Sequence, residues 1–192
     1  IKPPASLSHN FLESRFMDRA TAHETYLKAI EACPDAESKR LVMRKLCQED
    51  LFYLLVYGCG RLDADRDWIY DRCREVELHP DNHVDLWARF HYKSTIQTFA
   101  KTIQDILNHP DWTFGIFSHT RPIAKGFLRQ IKREFECNEF LKWLFPDILY
   151  ARPDQESLKW SEDDGCIIKR KSNPKESTIE SWGLVDGQPT SR

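Results

Sequence analysis

The stretch from His83 to Thr95 constrains this chain more than any other. Val84 to Ala88 is a short apolar run, Arg89 to Tyr92 is a basic and aromatic loop, and Lys93-Ser94-Thr95 opens a segment with helical periodicity. Strand, loop and helix start in that order is the layout of a phosphate-binding loop, in which backbone N–H groups at a helix N-terminus converge on an anion. Lys93 would bring a cation to the β- and γ-oxygens, Ser94 a hydroxyl for magnesium, and Thr95 a further first-turn hydroxyl. The usual pattern G-x-x-x-x-G-K-[ST] places glycines where Trp87 and Tyr92 stand here. By itself a Lys-Ser pair suits an ordinary helix start far better than a nucleotide site.

The surroundings favour an α/β reading. Ile96, Phe99, Ile103, Ile106 and Leu107 recur at three- and four-residue steps, which predicts a helix over 94–108, ended by His109-Pro110-Asp111. Thr113 to Ser118 is short and mostly apolar, as expected of a strand buried on both faces. Strand, helix and strand make a βαβ unit with parallel strands. Helices over 122–137 and 139–144 follow, then strands over 165–170 and 177–182 separated by the turn Ser172-Asn173-Pro174. Residues 1–78 read instead as helical: 20–32, 35–57 with Leu41, Leu46, Leu51, Leu54 and Leu55, and 65–76 with Trp68, Ile69, Cys73 and Val76 on one face. The expected organisation is a helical lid or packing region over 1–78 and an α/β domain over 79–192.

At 192 residues and 41% hydrophobic, the chain suffices for one core with a helical appendage. Its 28 basic residues are offset by 30 acidic ones, so contact with nucleic acid must come from a local patch. No apolar run approaches the roughly 20 residues of a membrane span, and no secretory signal opens the chain, so a cytoplasmic protein is expected. The six cysteines include no C-x-x-C pair, which argues for free thiols rather than zinc or a disulfide framework.

Asp85-Leu86-Trp87-Ala88-Arg89-Phe90-His91-Tyr92-Lys93-Ser94-Thr95 resembles the deviant Walker A of the large terminase subunits of tailed bacteriophages. In that family the first glycine is commonly lost and an arginine stands four residues before the lysine, as Arg89 does before Lys93. The resemblance continues through Gly115-Ile116-Phe117-Ser118-His119-Thr120, the following basic helix, Lys159-Trp160-Ser161, Arg170 to Glu176 and Gly183 to Ser191. Tyr92, where many relatives keep glycine, is its main departure. The resemblance implies a P-loop NTPase of the RecA-like kind, a parallel sheet flanked by helices. It also implies an ATP-driven motor that packages double-stranded viral DNA into procapsids, in the cytoplasm of a bacterial host. Implied partners are DNA, a portal protein, a small terminase subunit and further copies in a ring. Implied ligands are ATP and Mg2+: Lys93 on the β- and γ-phosphates, Ser94 on magnesium, and Arg89 as a phosphate contact or sensor. Phe90, His91, Tyr92 and Thr95 complete the binding loop. An upstream glutamine or aromatic often touches adenine in the family, and Gln48 and Tyr57 both remain open for that role.

Hydrolysis also requires an acidic pair after an apolar strand, one to orient magnesium and one to activate water. Trp182-Gly183-Leu184-Val185-Asp186 is the nearest match, but Gly187 stands where the glutamate belongs, and Asp186-Gly187 suits a turn. In the family the acidic strand and a nuclease domain come later, so this chain is expected to be the front part of such a subunit, without turnover of its own. A non-catalytic DNA- or partner-binding module and a helicase-like ATPase are the competing readings. Arg121, Lys125, Arg129 and Lys132 recur along one helix and suit either DNA phosphates or a solvated face. Lys169-Arg170-Lys171 offers the same choice. Glu162-Asp163-Asp164 beside Gly165 suits an acidic turn better than a general acid/base pair, and His79, Asp81 and His83 suit a polar loop better than a metal site.

Overall fold

The structure, a computed structural model, describes residues 17–79, 84–172 and 175–185. Its chain divides into two compact units, Ile1–His91 and Tyr92–Arg192, whereas the sequence pattern changes character at 78/79.

In the first unit, α1 (Arg19–Glu31) and α2 (Ala36–Glu49) each begin at an aspartate. Asp18 accepts the Thr21 N–H and Asp35 the Ser38 N–H, both at 2.8 Å, satisfying donors that a helix start leaves unpaired. The helix expected to run on to Tyr57 breaks at Asp50. There the backbone turns extended, and the same carboxylate caps α3 (Leu51–Tyr53) through the Tyr53 N–H at 2.9 Å. A wide π turn, Leu54–Gly58, and a 3₁₀ turn, Leu62–Ala64, lead into α4 (Asp67–Leu78). Leu46, Leu51, Leu54, Leu55, Ile69, Cys73 and Val76 are buried as the periodicity predicts, while Leu41 and Trp68 stay partly exposed.

A charged cluster lies inside this core. Arg74 Nη2 is 2.5 Å from Asp50 Oδ1 and 3.2 Å from Glu77 Oε2, and the Tyr26 hydroxyl donates to Asp50 Oδ2 at 2.6 Å. Glu77 in turn accepts the Leu51 N–H at 2.6 Å, so one ion triad fastens α1, α3 and α4 together. Burial pulls the Arg74 guanidinium towards losing its proton, but the Asp50 and Glu77 charges outweigh it and hold it firmly cationic.

Residues 84–88, expected to form the first strand, do not form one. They carry no ladder partner among the described residues, and Val84 and Leu86 are 83% and 90% exposed. An isolated extended run cannot satisfy its own backbone. Trp87 packs instead beneath the Arg72 guanidinium of α4, 5.5 Å from the ring centre.

The second unit is mixed α/β. A wide helical segment, Ser94–Lys101, runs into α5 (Thr102–Asn108), with Ile96, Phe99, Ile103, Ile106 and Leu107 buried as predicted. Then come β1 (Phe114–Ser118), α6 (Arg121–Cys137), α7 (Glu139–Leu144), the short α8 (Pro153–Glu156), β2 (Trp160–Ser161), β3 (Gly165–Cys166) and β4 (Ile179–Gly183). The sheet order is β1-β4-β3-β2, parallel between β1 and β4 in the register Phe114↔Ile179 to Ser118↔Gly183, and antiparallel elsewhere. The parallel pair that the sequence assigned to 84–88 and β1 is therefore made by β1 and β4. Nor is β1 buried on both faces: Gly115 and Phe117 are exposed and Ile116 is buried. Ala124, Leu128, Ile131 and Phe135 are the buried stripe of α6, which packs on β1 and β4. Strand β3 stops short of Arg170 because its successors bond elsewhere, the Ile168 N–H to Thr178 Oγ1 and the Lys169 N–H to the Ile148 carbonyl. At its start Gly165 has φ +85, and a Cβ there would stand 2.5 Å from the Ile179 carbonyl oxygen, so only glycine fits.

Candidate functional site

The loop candidates fall on both sides of the division between units. Arg89, Phe90 and His91 close the first unit and are exposed; Tyr92, Lys93, Ser94 and Thr95 open the second and are half-buried. Two residues of this glycine-free loop adopt the left-handed backbone that glycine normally supplies: Phe90 at φ +65 and Tyr92 at φ +55. For bulky side chains this costs on the order of 1–2 kcal/mol each, and such strain concentrates at ligand clamps. Tyr92 is one of the two positions at which the phosphate-loop pattern calls for glycine. Directly after it the helix begins, Lys93 having helical φ and ψ and the Ile96 N–H reaching the Tyr92 carbonyl at 2.9 Å. The Lys93, Ser94 and Thr95 backbone thus forms the first turn, where N–H groups precede the intrahelical ladder. Ser94 and Thr95 present their hydroxyls from the same turn, and the wide helical pitch through Lys101 is of a kind found often at functional sites.

In the first unit, His91 Nδ1 lies 2.9 Å from the Arg89 carbonyl oxygen, and its ring stands 5.9 Å from Trp68. Trp68, Arg72 and Glu75 of α4 face residues 84–88, Phe90 and His91 across an open groove of about 880 Å³. Arg72 is fixed between the Trp87 ring and the Glu75 carboxylate. The sequence periodicity put Trp68 on the core face of its helix; its spacing of four from Arg72 was the signal for a second, outward stripe.

A further cluster in the same unit left no local trace in the sequence. The Tyr57 hydroxyl is 2.6 Å from His23 Nδ1, His23 Nε2 is 2.9 Å from Asp65, and Arg19 bonds both Asp65 and Asp67 at 2.6 Å. Burial raises the Asp65 carboxyl, but His23 and Arg19 outweigh that and hold it below the usual range. Tyr57, an open candidate for an adenine contact, is thereby committed to His23.

The basic stripe and the acidic turn prove to be one feature. Arg129 makes a two-pronged contact with Glu162, 2.7 Å at each oxygen, Lys125 pairs with Asp163, and Arg121 donates to the Asp163 carbonyl at 3.0 Å. Lys132 pairs within its own helix, 2.5 Å from Glu136. Lys169 and Arg170 bond the Pro146 and Glu176 carbonyls, roles in holding the chain rather than in waiting for phosphate. His79 is exposed at the end of α4, whereas Asp81, His83 and Asp186 lie outside the described residues. Among the described residues no group of three or more His, Cys, Asp and Glu side chains could hold a metal ion. The cysteines are free thiols, and burial pushes that of Cys166 up to about 12.

Compared with known proteins, the chain matches no family model, no curated protein and no solved structure. No described helix is long and apolar enough to cross a membrane.

Proposed function

We propose that this chain is the nucleotide-binding part of an ATP-driven motor of the phage terminase kind, a P-loop module that works with a portal protein, a small subunit and further copies to move double-stranded DNA in the bacterial cytoplasm. The observation that carries this reading is the left-handed backbone at Tyr92, immediately before a helix that opens Lys-Ser-Thr. A tyrosine holds there the left-handed backbone that glycine ordinarily supplies, which supports the loop reading at one of the pattern's two glycine positions; Trp87, the other, does not have it. In this reading the first-turn N–H groups and Lys93 would hold the β- and γ-phosphates and Ser94 would bind Mg2+. Bound magnesium would supply charge neutralisation on those oxygens.

One observation favours the competing reading, a non-catalytic module. Among the described residues, 84–88 join no sheet. A single substitution separates the two. Lys93→Ala, placed in the complete gene product, abolishes ATP turnover and ATP-dependent DNA packaging with an unchanged circular-dichroism spectrum. Unchanged turnover would remove the loop from the mechanism. Tyr92→Gly tests the conformational argument: it relieves about 1 kcal/mol of strain and leaves nucleotide affinity equal or higher, whereas Tyr92→Val lowers it at least several-fold in a calorimetric titration.

A further inference from the structure

We infer that the face of α6 carrying Arg121, Lys125 and Arg129 is a docking surface for the phosphate backbone of double-stranded DNA, and that Glu162 and Asp163 occupy it as an intramolecular stand-in. The inference rests on the reading of the chain as part of a DNA-moving motor.

The three cations follow one another at four-residue steps, a rise of about 6 Å each, along a 17-residue helix. Packing does not require them, because the helix is anchored by a separate apolar stripe, Ala124, Leu128, Ile131 and Phe135. What meets them is the tip of the β2–β3 hairpin. Its base is held: Gly165 and Cys166 are buried, Cys166 pairs with Ile179, and Ser177 Oγ donates to the Asp164 carbonyl at 2.7 Å. Its tip is only partly enclosed, the Asp163 side chain being 67% and Glu162 28% exposed, with Arg129 opposite at 65%. Ion pairs this exposed exchange readily and are weakened by salt.

The geometry favours phosphate as the outside competitor. Arg129 grips Glu162 with Nε and Nη2 at 2.7 Å each, the same fork that grips two phosphate oxygens. Arg121 is steadied over the Trp182 ring at 5.7 Å and shares Asp163 with Lys125. Displacing the carboxylates exposes a rigid row of three, and each phosphate neutralised releases counterions.

The test is binding of a 30-base-pair duplex to the whole chain without nucleotide, measured by fluorescence anisotropy over a series of salt concentrations. The variant E162Q/D163N, checked by circular dichroism, binds at least about tenfold more tightly, with a salt slope steeper by about two. Adding K125Q/R129Q to it removes the gain, and K125E/R129E alone drops binding below that of the wild-type chain. Unchanged affinity in E162Q/D163N, or a gain that survives K125Q/R129Q, overturns the inference. Equal displacement of the duplex by polyglutamate at matched charge also overturns it, by pointing to an acidic protein partner. Lys93→Ala leaves all of these values unchanged, so failure of the nucleotide site and failure of this surface are distinguishable.

Discussion

The two units use the same pair of side chains, arginine and a carboxylate, in opposite ways. In the first unit Asp50, Arg74 and Glu77 form a triad inside the core, with side chains 3%, 7% and 5% exposed. In the second, Arg129 with Glu162 and Lys125 with Asp163 lie on the surface. Inside, neither partner can find water if the other leaves, so the triad ties three helices into one arrangement and is costly to break. Outside, water and salt are always available as substitutes, so the pairs hold little and can be traded for another anion. Equal chemistry therefore yields a fastening in one place and an exchangeable contact in the other.

The sharpest way to break this contrast is Asp50→Ala, which leaves buried Arg74 with Glu77 alone and uncaps α3. A loss of about 3–5 kcal/mol is expected in urea unfolding, confined to segments of residues 19–78 in hydrogen exchange. A loss under 1 kcal/mol would mean that the triad is no fastening. Next is Gly165→Ala, which leaves every charge in place but drives a Cβ into the Ile179 carbonyl; about 2–4 kcal/mol should be lost, from β3 and β4. Smallest is Glu162→Gln, expected to cost about 0.5 kcal/mol or less and nothing by 0.5 M salt. Acidification refines that last comparison. The Arg129 guanidinium beside Glu162, and Lys125 beside Asp163, hold both carboxyls below their usual range. Their contribution is complete above the unfolded carboxylate values, about 4, and drains away as pH falls through the lower folded ones. Thermal melts from pH 6 down to pH 3 should show a small decline that 0.5 M salt abolishes.

The sequence showed clearly what is local and poorly what is distant. The helices over 20–32, 94–108 and 122–137 need only their own apolar periodicity, as in the stripe Ile96, Phe99, Ile103, so these elements were legible. Val84 to Ala88 has a strand's composition, but a strand is made by its neighbour, and no local pattern announces that Trp87 will sit beneath Arg72 instead. Asp50 looked like one more polar position in a long helix until Arg74, 24 residues on, gave its carboxylate a reason to turn inward. The stripe on α6 and the run Glu162-Asp163-Asp164 were each visible, yet their pairing across 33 to 42 residues was not. For the candidate site the residue types at 93–95 were readable, whereas the conformation at Tyr92 was hidden by a pattern that admits glycine alone.

The parallel pairing of β1 with β4 has a consequence for how the second unit comes to exist. Strand β1 ends at Ser118 and its partner begins at Ile179, so the ladder closes a loop containing most of the unit. Helix α6 can form on its own timescale, but it has only half a sheet to rest on until that loop closes, and closures of this span slow folding. On the ribosome, the exposed face of Phe117 and the unpaired edge of β1 wait for Gly183 to emerge. The chain is most open to mispairing in that interval, which closes when β4 pairs with β1.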